Sequence, residues 1–304
     1  MMTISGKRIA AGLILAMIAL VGVCPALFAE EVGNAARLRD KYASLAEPLS
    51  HNPFQRQLYL KSTESESTLT GDIYAAVDYP LASVNATLND PAKGPANWCD
   101  VLILHLNVKY CHASANGNNT RLTVNLGKKV EEKLSSTYRV QFNYRAVATG
   151  PEYFQVNLDA DTGPMSTRDY RIVLEATSIA ASRTFLHLTY SYSYGAAGRM
   201  AMKAYLATLG RGKVGFTNAR DPTSGQAEYI GGVRGLTERN TMRYYLAIDS
   251  YLSTLSAPPD KRLDQRLAKW FDATEQYSRQ LHEVDRDAYM SMKRNEYQRQ
   301  QVMQ

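Results

Sequence analysis

Between Leu102 and Tyr194 the sequence alternates apolar and polar residues over and over, with only short breaks. "VLILHLNVKYC" sets Leu102, Leu104, Leu106, Val108 and Tyr110 against Ile103, His105, Asn107, Lys109 and Cys111. After the turn signal "NGNN" comes "TRLTVNLG", and then "YRVQFNYRAVA", with Tyr138, Val140, Phe142, Tyr144 and Ala146 on one side. "YFQVNLDAD" and "DYRIVLEA" repeat the pattern, and "TFLHLTYSYSYG" closes it with Leu186, Leu188, Tyr190, Tyr192 and Tyr194 in register. Successive strand side chains point to opposite faces, so each segment has one apolar and one wet face. Many such strands joined by short turns predict an antiparallel meander rather than parallel crossover units. An outer-membrane barrel alternates in the same way, but it would leave the helical last third of the chain unexplained.

The flanking segments read differently. "RLRDKYASLAEPLS" carries Leu38, Tyr42 and Leu45 at helical spacing until Pro48 interferes. "LYLKSTESESTLTGDIYAAVDYP" predicts two strands around a polar turn, and Pro80 opens a helix, "PLASVNATLND", before a break at "DPAKGPANW". Beyond the meander, "AAGRMAMKAYLATLG" predicts a helix ending at Gly210, followed by a glycine-rich excursion. A second helix has Thr237 as its cap and ends at Pro258 and Pro259. The final segment spaces Leu267, Trp270, Thr274, Tyr277, Leu281, Val284 and Ala288 by threes and fours, an apolar seam on a charged helix.

At the N-terminus, Lys7 and Arg8 precede an apolar run from Ile9 to Val23 and then "CPALFAEE". This is the pattern of a secretory signal peptide, cut after Ala29 or, as the second choice, Ala26. The run is short for a membrane span, which needs about 20 residues. Cleavage leaves 33 basic and 29 acidic side chains, a charge of +4 spread along the chain. Nucleic-acid binding usually leaves a clustered basic footprint, so no nucleic-acid partner is expected. Cys99 and Cys111 are the cysteines left after cleavage, and an oxidising compartment favours their pairing. Closing so short a loop stabilises by roughly 3 kcal/mol. The expected location is the periplasm.

The stretch "GDIYAAVDYPLASVNATLNDPAKGPANWCD", followed by a meander and a long helix, resembles the START-like (SRPBCC) helix-grip superfamily over about residues 70–209. The resemblance implies an α+β fold in which a curved antiparallel sheet of about six or seven strands grips a helix, with further C-terminal helices. It divides the chain into a signal peptide (1–29), a lead-in (30–57), a helix-grip domain (58–257) with an insertion near 210–236, and an amphipathic helix (258–304). Either 196–209 or 237–256 is the gripped helix. Many members hold a lipid or other hydrophobic molecule between sheet and helix, and a minority are enzymes. Carried over here, that implies a ligand wall of Phe142, Tyr144, Tyr190, Tyr192 and Tyr194, with Met165 and Arg168 bordering the mouth.

Each of these residues also has a plainer reading. The tyrosines fit strands and fill cores, and the turn "ADTGPMSTRDY" is solvated if Arg168 pairs with Asp161 or Asp169. Cys99, His105, Cys111 and His112 lack the short paired spacing of a zinc site, so neither metal nor cofactor is expected. His105 falls on the polar side of its strand. No nucleophile elbow, zinc-binding helix or phosphate loop is present in the sequence. His187 pairs with Asp159 or Glu175 only if the strands align. The expected function is therefore non-catalytic carriage of a hydrophobic, lipid-like ligand. The alternatives are an enzyme working in the same cavity and an interaction protein using its C-terminal helix. Arg199, Lys203 and "GRGK" form the one basic cluster suited to touching a membrane surface.

Overall fold

A computed structural model describes residues 25–303 except 118, 209 and 221–226. The leader assigned to residues 1–29 lies outside the described residues up to residue 24. The chain begins with α1 (Pro25–Ser44) and α2 (Ala46–Ser50), then the hairpin β1 (Leu58–Glu64) and β2 (Thr68–Val77). Next come α3 (Leu81–Leu88) and α4 (Gly94–Leu102). The meander is β3 (Val108–Asn116), β4 (Asn119–Leu126), β5 (Tyr138–Thr149), β6 (Tyr153–Thr162), β7 (Thr167–Ala180) and β8 (Arg183–Tyr194). It leads to α5 (Ala196–Ala207), then to the small strands β9 (Asn218–Arg220) and β10 (Ala227–Tyr229). The chain finishes with α6 (Gly232–Leu252), α7 (Pro259–Glu275), α8 (Ser278–Leu281) and α9 (Arg286–Val302).

β1 to β8 form one sheet in the order β1-β2-β8-β7-β6-β5-β4-β3, so eight strands take part rather than six or seven. Every neighbouring pair is antiparallel, and β2 joins the meander through β8, with Gly71 opposite Tyr190 and Ile73 opposite Leu188. The apolar residues of the strands face inward, where β1, β2 and β8 pack on α6 and other strands meet α3 and α4, and the middle of α6 is buried on all sides. The gripped helix is therefore α6, and α5 lies at the end of the sheet. The approach of α6 to β2 is close enough to require glycine: a Cβ on Gly71 would stand 2.2 Å from Thr241 Oγ1. Thr237, Glu238 and Thr241 of this buried helix are hydrogen-bonded, as burial demands. Thr237 and Thr241 bond carbonyls one turn back, and Glu238 accepts from Ser62, the Phe216 and Thr217 amides and the Thr217 hydroxyl.

Three sequence expectations change. "VLILHL" is not strand: α4 runs through Leu102, turns follow, and β3 starts only at Val108. The run is buried on every side, and periodicity cannot separate a buried helix end from a strand. α6 begins at Gly232, five residues before the expected cap, because Thr237 bonds back to Val233 inside the helix. The C-terminal segment is not one helix. It breaks after Glu275 and again at His282, whose backbone is extended, before α9 starts with Asp285 at its N-cap position. Leu267, Trp270, Thr274, Tyr277 and Leu281 of its seam are buried within this chain, while Ala288 is exposed.

Two further contacts complete the fold. α1 and α2 lie on the outer face of the sheet, packing Ala35, Leu38, Leu45 and Leu49 with Tyr74, Tyr153 and Phe185 as a separate small core. Cys99 on α4 is bonded to Cys111 on β3, with Cα atoms 5.1 Å apart.

Candidate functional site

The inner face of β7 and β8 carries a ladder of tyrosine rings that includes Tyr190 and Tyr192 and adds Tyr170, which the sequence reading did not single out. Tyr170 stacks on Tyr192 at 5.2 Å between ring centroids, Tyr190 touches Tyr192 at 5.7 Å, and Tyr190 meets Tyr244 of α6 at 5.2 Å. The stack continues to His105, whose ring lies 4.9 Å from that of Tyr244. The hydroxyls bond locally: Tyr170 with Thr167 Oγ1 at 2.8 Å, Tyr190 with Asn240, and Tyr192 with Thr237. Tyr192 also reaches Met202 Sδ of α5 at 3.8 Å. Burial pushes the phenols of Tyr170, Tyr190, Tyr192 and Tyr244 up, so all four remain protonated donors.

The seven residues singled out from the sequence fall into three places. Tyr190 and Tyr192 are in the ladder, and Tyr194 stands at its end, its hydroxyl 3.3 Å from Glu64 Oε1. Phe142 and Tyr144 are buried on β5, and the Tyr144 hydroxyl bonds the Leu88 and Asp90 carbonyls beyond α3. Met165 lies in the exposed β6–β7 turn and Arg168 just beyond it at the start of β7, where it pairs with Asp169 at 3.3 Å. Met165 and Ser166 of this turn, and Asp169 at the start of β7, hold φ near +55°, +60° and +53°, a left-handed conformation costly for side chains with a Cβ. The turn borders α5, since the start of that helix packs on it at Gly198. α5 itself buries Met202 and exposes Met200.

Surface clefts open elsewhere. One of about 390 Å³ runs along β1 between Phe54, Phe216 and Arg234. Another of about 690 Å³ separates α3 from the β5–β6 turn and is lined by Ala82, Asn85, Asn89 and Ala146. None of the seven residues lines either cleft.

The outer face holds a charged cluster that sequence reasoning found only in part. His187 Nδ1 is 2.7 Å from Glu175 Oε1, its cross-strand neighbour, while Nε2 is 2.8 Å from Asp72 Oδ1 on β2. Asp159 pairs with Arg145 instead. Tyr153 and Arg37 donate to Glu175, and Thr189 donates to Asp72. Burial opposes charge on His187, yet its bonds to Asp72 and Glu175 outweigh that and raise its pKa. Glu175 is likewise opposed by burial but held at about 2 by its bonds from His187, Tyr153 and Arg37. Thr189 Oγ1 stands 3.2 Å from His187 Nε2, which resembles a hydroxyl–imidazole–carboxylate relay. An imidazolium with a carboxylate at each nitrogen has no lone pair with which to take the threonine proton. The cluster therefore works as a clasp, and through Arg37 it ties α1 to the sheet.

No family model matches the sequence, and no curated protein matches it. Among solved structures the chain is similar to norcoclaurine synthase from Thalictrum flavum at 10% identity and a TM-score of 0.35, covering 48% of this chain and 91% of that one. It is similar to human StAR-related lipid transfer protein 5 at 8% identity and a TM-score of 0.31, covering 59% and 90%. It is also similar to the Zhui aromatase/cyclase from Streptomyces sp. R1128 at 13% identity and a TM-score of 0.33, covering 71% and 99%. The helix grip itself is read from the eight-stranded antiparallel sheet and the buried α6.

Proposed function

We propose that this protein binds a hydrophobic, lipid-like molecule against the tyrosine ladder, beneath α5, without chemical conversion. The observation that carries the reading is the ladder's position. Tyr170, Tyr190 and Tyr192 form a continuous aromatic surface on the inner sheet face, and Met202 of α5 covers its end. The rings touch one another, so occupancy requires α5 to lift Met202 away from Tyr192. The left-handed β6–β7 turn next to α5 makes that corner the natural mouth. A ligand would gain roughly 25 cal/mol for each Å² of apolar surface buried, with the phenol hydroxyls orienting its polar end.

The reading also places the protein outside the cytoplasm, in a periplasm. The leader-like N-terminus and the Cys99–Cys111 bond support that location. The test is titration with an uncharged fluorescent fatty-chain probe, comparing wild type with Met202→Trp and Tyr192→Phe. Tyr192→Phe preserves ring packing and removes only the hydroxyl. Met202→Trp, which puts a bulkier side chain where α5 meets Tyr192, is expected to weaken binding at least tenfold with the fold retained by circular dichroism. Equal binding in wild type and Met202→Trp would move the ligand away from the ladder.

A further inference from the structure

The two edges of the sheet are finished differently. At the β3 edge, Gln300 of α9 accepts the Cys111 amide. At the β1 edge lies the cleft of about 390 Å³, and five consecutive β1 residues, Leu58 to Ser62, line it. Successive side chains leave a strand on opposite faces, so residues of both faces meet one cleft only where it follows the edge of the strand.

The register tells which backbone groups look into the cleft. The Ala76 amide donates to the Gln57 carbonyl, and the pairing continues with Leu58 opposite Ala75. Bonding alternates along an antiparallel pair, so Tyr59 and Lys61 turn their amides and carbonyls to β2, while Leu58, Leu60 and Ser62 turn theirs away. Two of these outward groups are used: the Leu58 amide donates to the Arg56 carbonyl, and the Ser62 carbonyl accepts from Arg234 Nη2 at 3.1 Å. The Leu58 carbonyl, both groups of Leu60 and the Ser62 amide bond no described residue. Such a row is a template for one more strand.

Arg234 sets where that strand must stop. With Nη2 on the Ser62 carbonyl and Nε 3.3 Å from the Ser62 hydroxyl, it stands where an added strand would make its next ladder bond. It has no carboxylate partner among the described residues, and none of the residues lining the cleft is acidic. Glu238, which accepts from the Ser62 hydroxyl, also takes bonds from the Thr217 hydroxyl and the Phe216 and Thr217 amides. Phe54 and Phe216, with ring centroids 5.7 Å apart, give the cleft an apolar wall.

We propose that this cleft binds the C-terminal end of an extended peptide from another protein, added to β1 as a parallel strand, with its terminal carboxylate on Arg234 and an apolar side chain against Phe54 and Phe216. The direction follows from the arginine, since a chain that ends in negative charge beside Ser62 runs the same way as β1. The cleft has the volume of a site for a drug-sized molecule, which suits a few residues of peptide and not the edge of a second sheet. It shares no residue with the tyrosine ladder, so it stands or falls apart from lipid binding.

The test uses an array of hexapeptides tethered by their N-termini, with free C-termini and valine, leucine, phenylalanine, threonine or serine at each of the last four positions. Wild type and Arg234→Gln, both checked for fold by circular dichroism, are applied to it. Peptides held by wild type are remade with amidated C-termini and with single N-methyl groups, and their affinities are measured by fluorescence anisotropy. Amidation is expected to weaken binding to wild type about tenfold, and Arg234→Gln is expected to bind acid and amide alike. N-methylation is expected to abolish binding at alternate residues only, because only alternate amides face β1. An array that retains no peptide, or peptides indifferent to amidation or to N-methylation, would overturn the proposal. Self-association in sedimentation with no peptide retained would give the edge to a second copy instead.

Discussion

His187 shows how residues far apart in sequence settle one another's charge. Its pairing with Glu175 was partly legible, because both lie on the wet faces of adjacent strands. Asp72 was not, because β2 reaches β8 only through long-range pairing, and alternation says nothing about which strands meet. The clasp predicts a particular pH response. Glu175 has its pKa held below its ordinary 4.5, at about 2, so its contribution is present above about 4.5 and lost as pH falls through 2. His187 is raised above its ordinary 6.5, so its contribution is present below 6.5 and lost as pH rises through the raised value. Stability from the cluster is therefore greatest between about pH 4.5 and 6.5. Denaturant unfolding at several pH values checks this, and Glu175→Gln is expected to remove an acid limb on the order of 3 kcal/mol. An unchanged acid limb in Glu175→Gln would put the acid sensitivity elsewhere.

At the level of elements, the meander was readable because each strand buries one face only. α4 and the charged C-terminal helices were harder. The apolar run before β3 is enclosed on all sides, and Lys293 and Glu296 look like ordinary surface charges until α9 is seen to bury them. α9 also guards the sheet edge, where Gln300 Oε1 accepts the Cys111 amide at 3.2 Å. Reducing Cys99–Cys111 is expected to lower the unfolding free energy by about 3 kcal/mol, measured with and without reductant. Gly71→Ala should cost about 1–3 kcal/mol, since Thr241 of α6 occupies the space a methyl group needs. Leu38→Ala should cost about 2–3 kcal/mol and raise hydrogen exchange in α1 while β4 and β5 stay protected. Loss of protection across the whole sheet would instead make α1 part of the main folding unit.

For the molecule as a whole, the sheet and α6 form a grip with an aromatic inner wall, and the largely exposed α5 lies at one end of the sheet. The ladder was legible as a row of tyrosines. Its contact with α6 was not, because the intervening excursion hides which helix returns to the sheet. The most direct measurement is mass spectrometry of organic extracts from protein purified without detergent, wild type beside Met202→Trp. A stoichiometric hydrophobic molecule in the wild type, depleted in the variant, is the result expected if the ladder and α5 form a binding site. An empty wild-type protein that also takes up no lipid from a broad screen would make the tyrosines packing alone and contradict the proposed function.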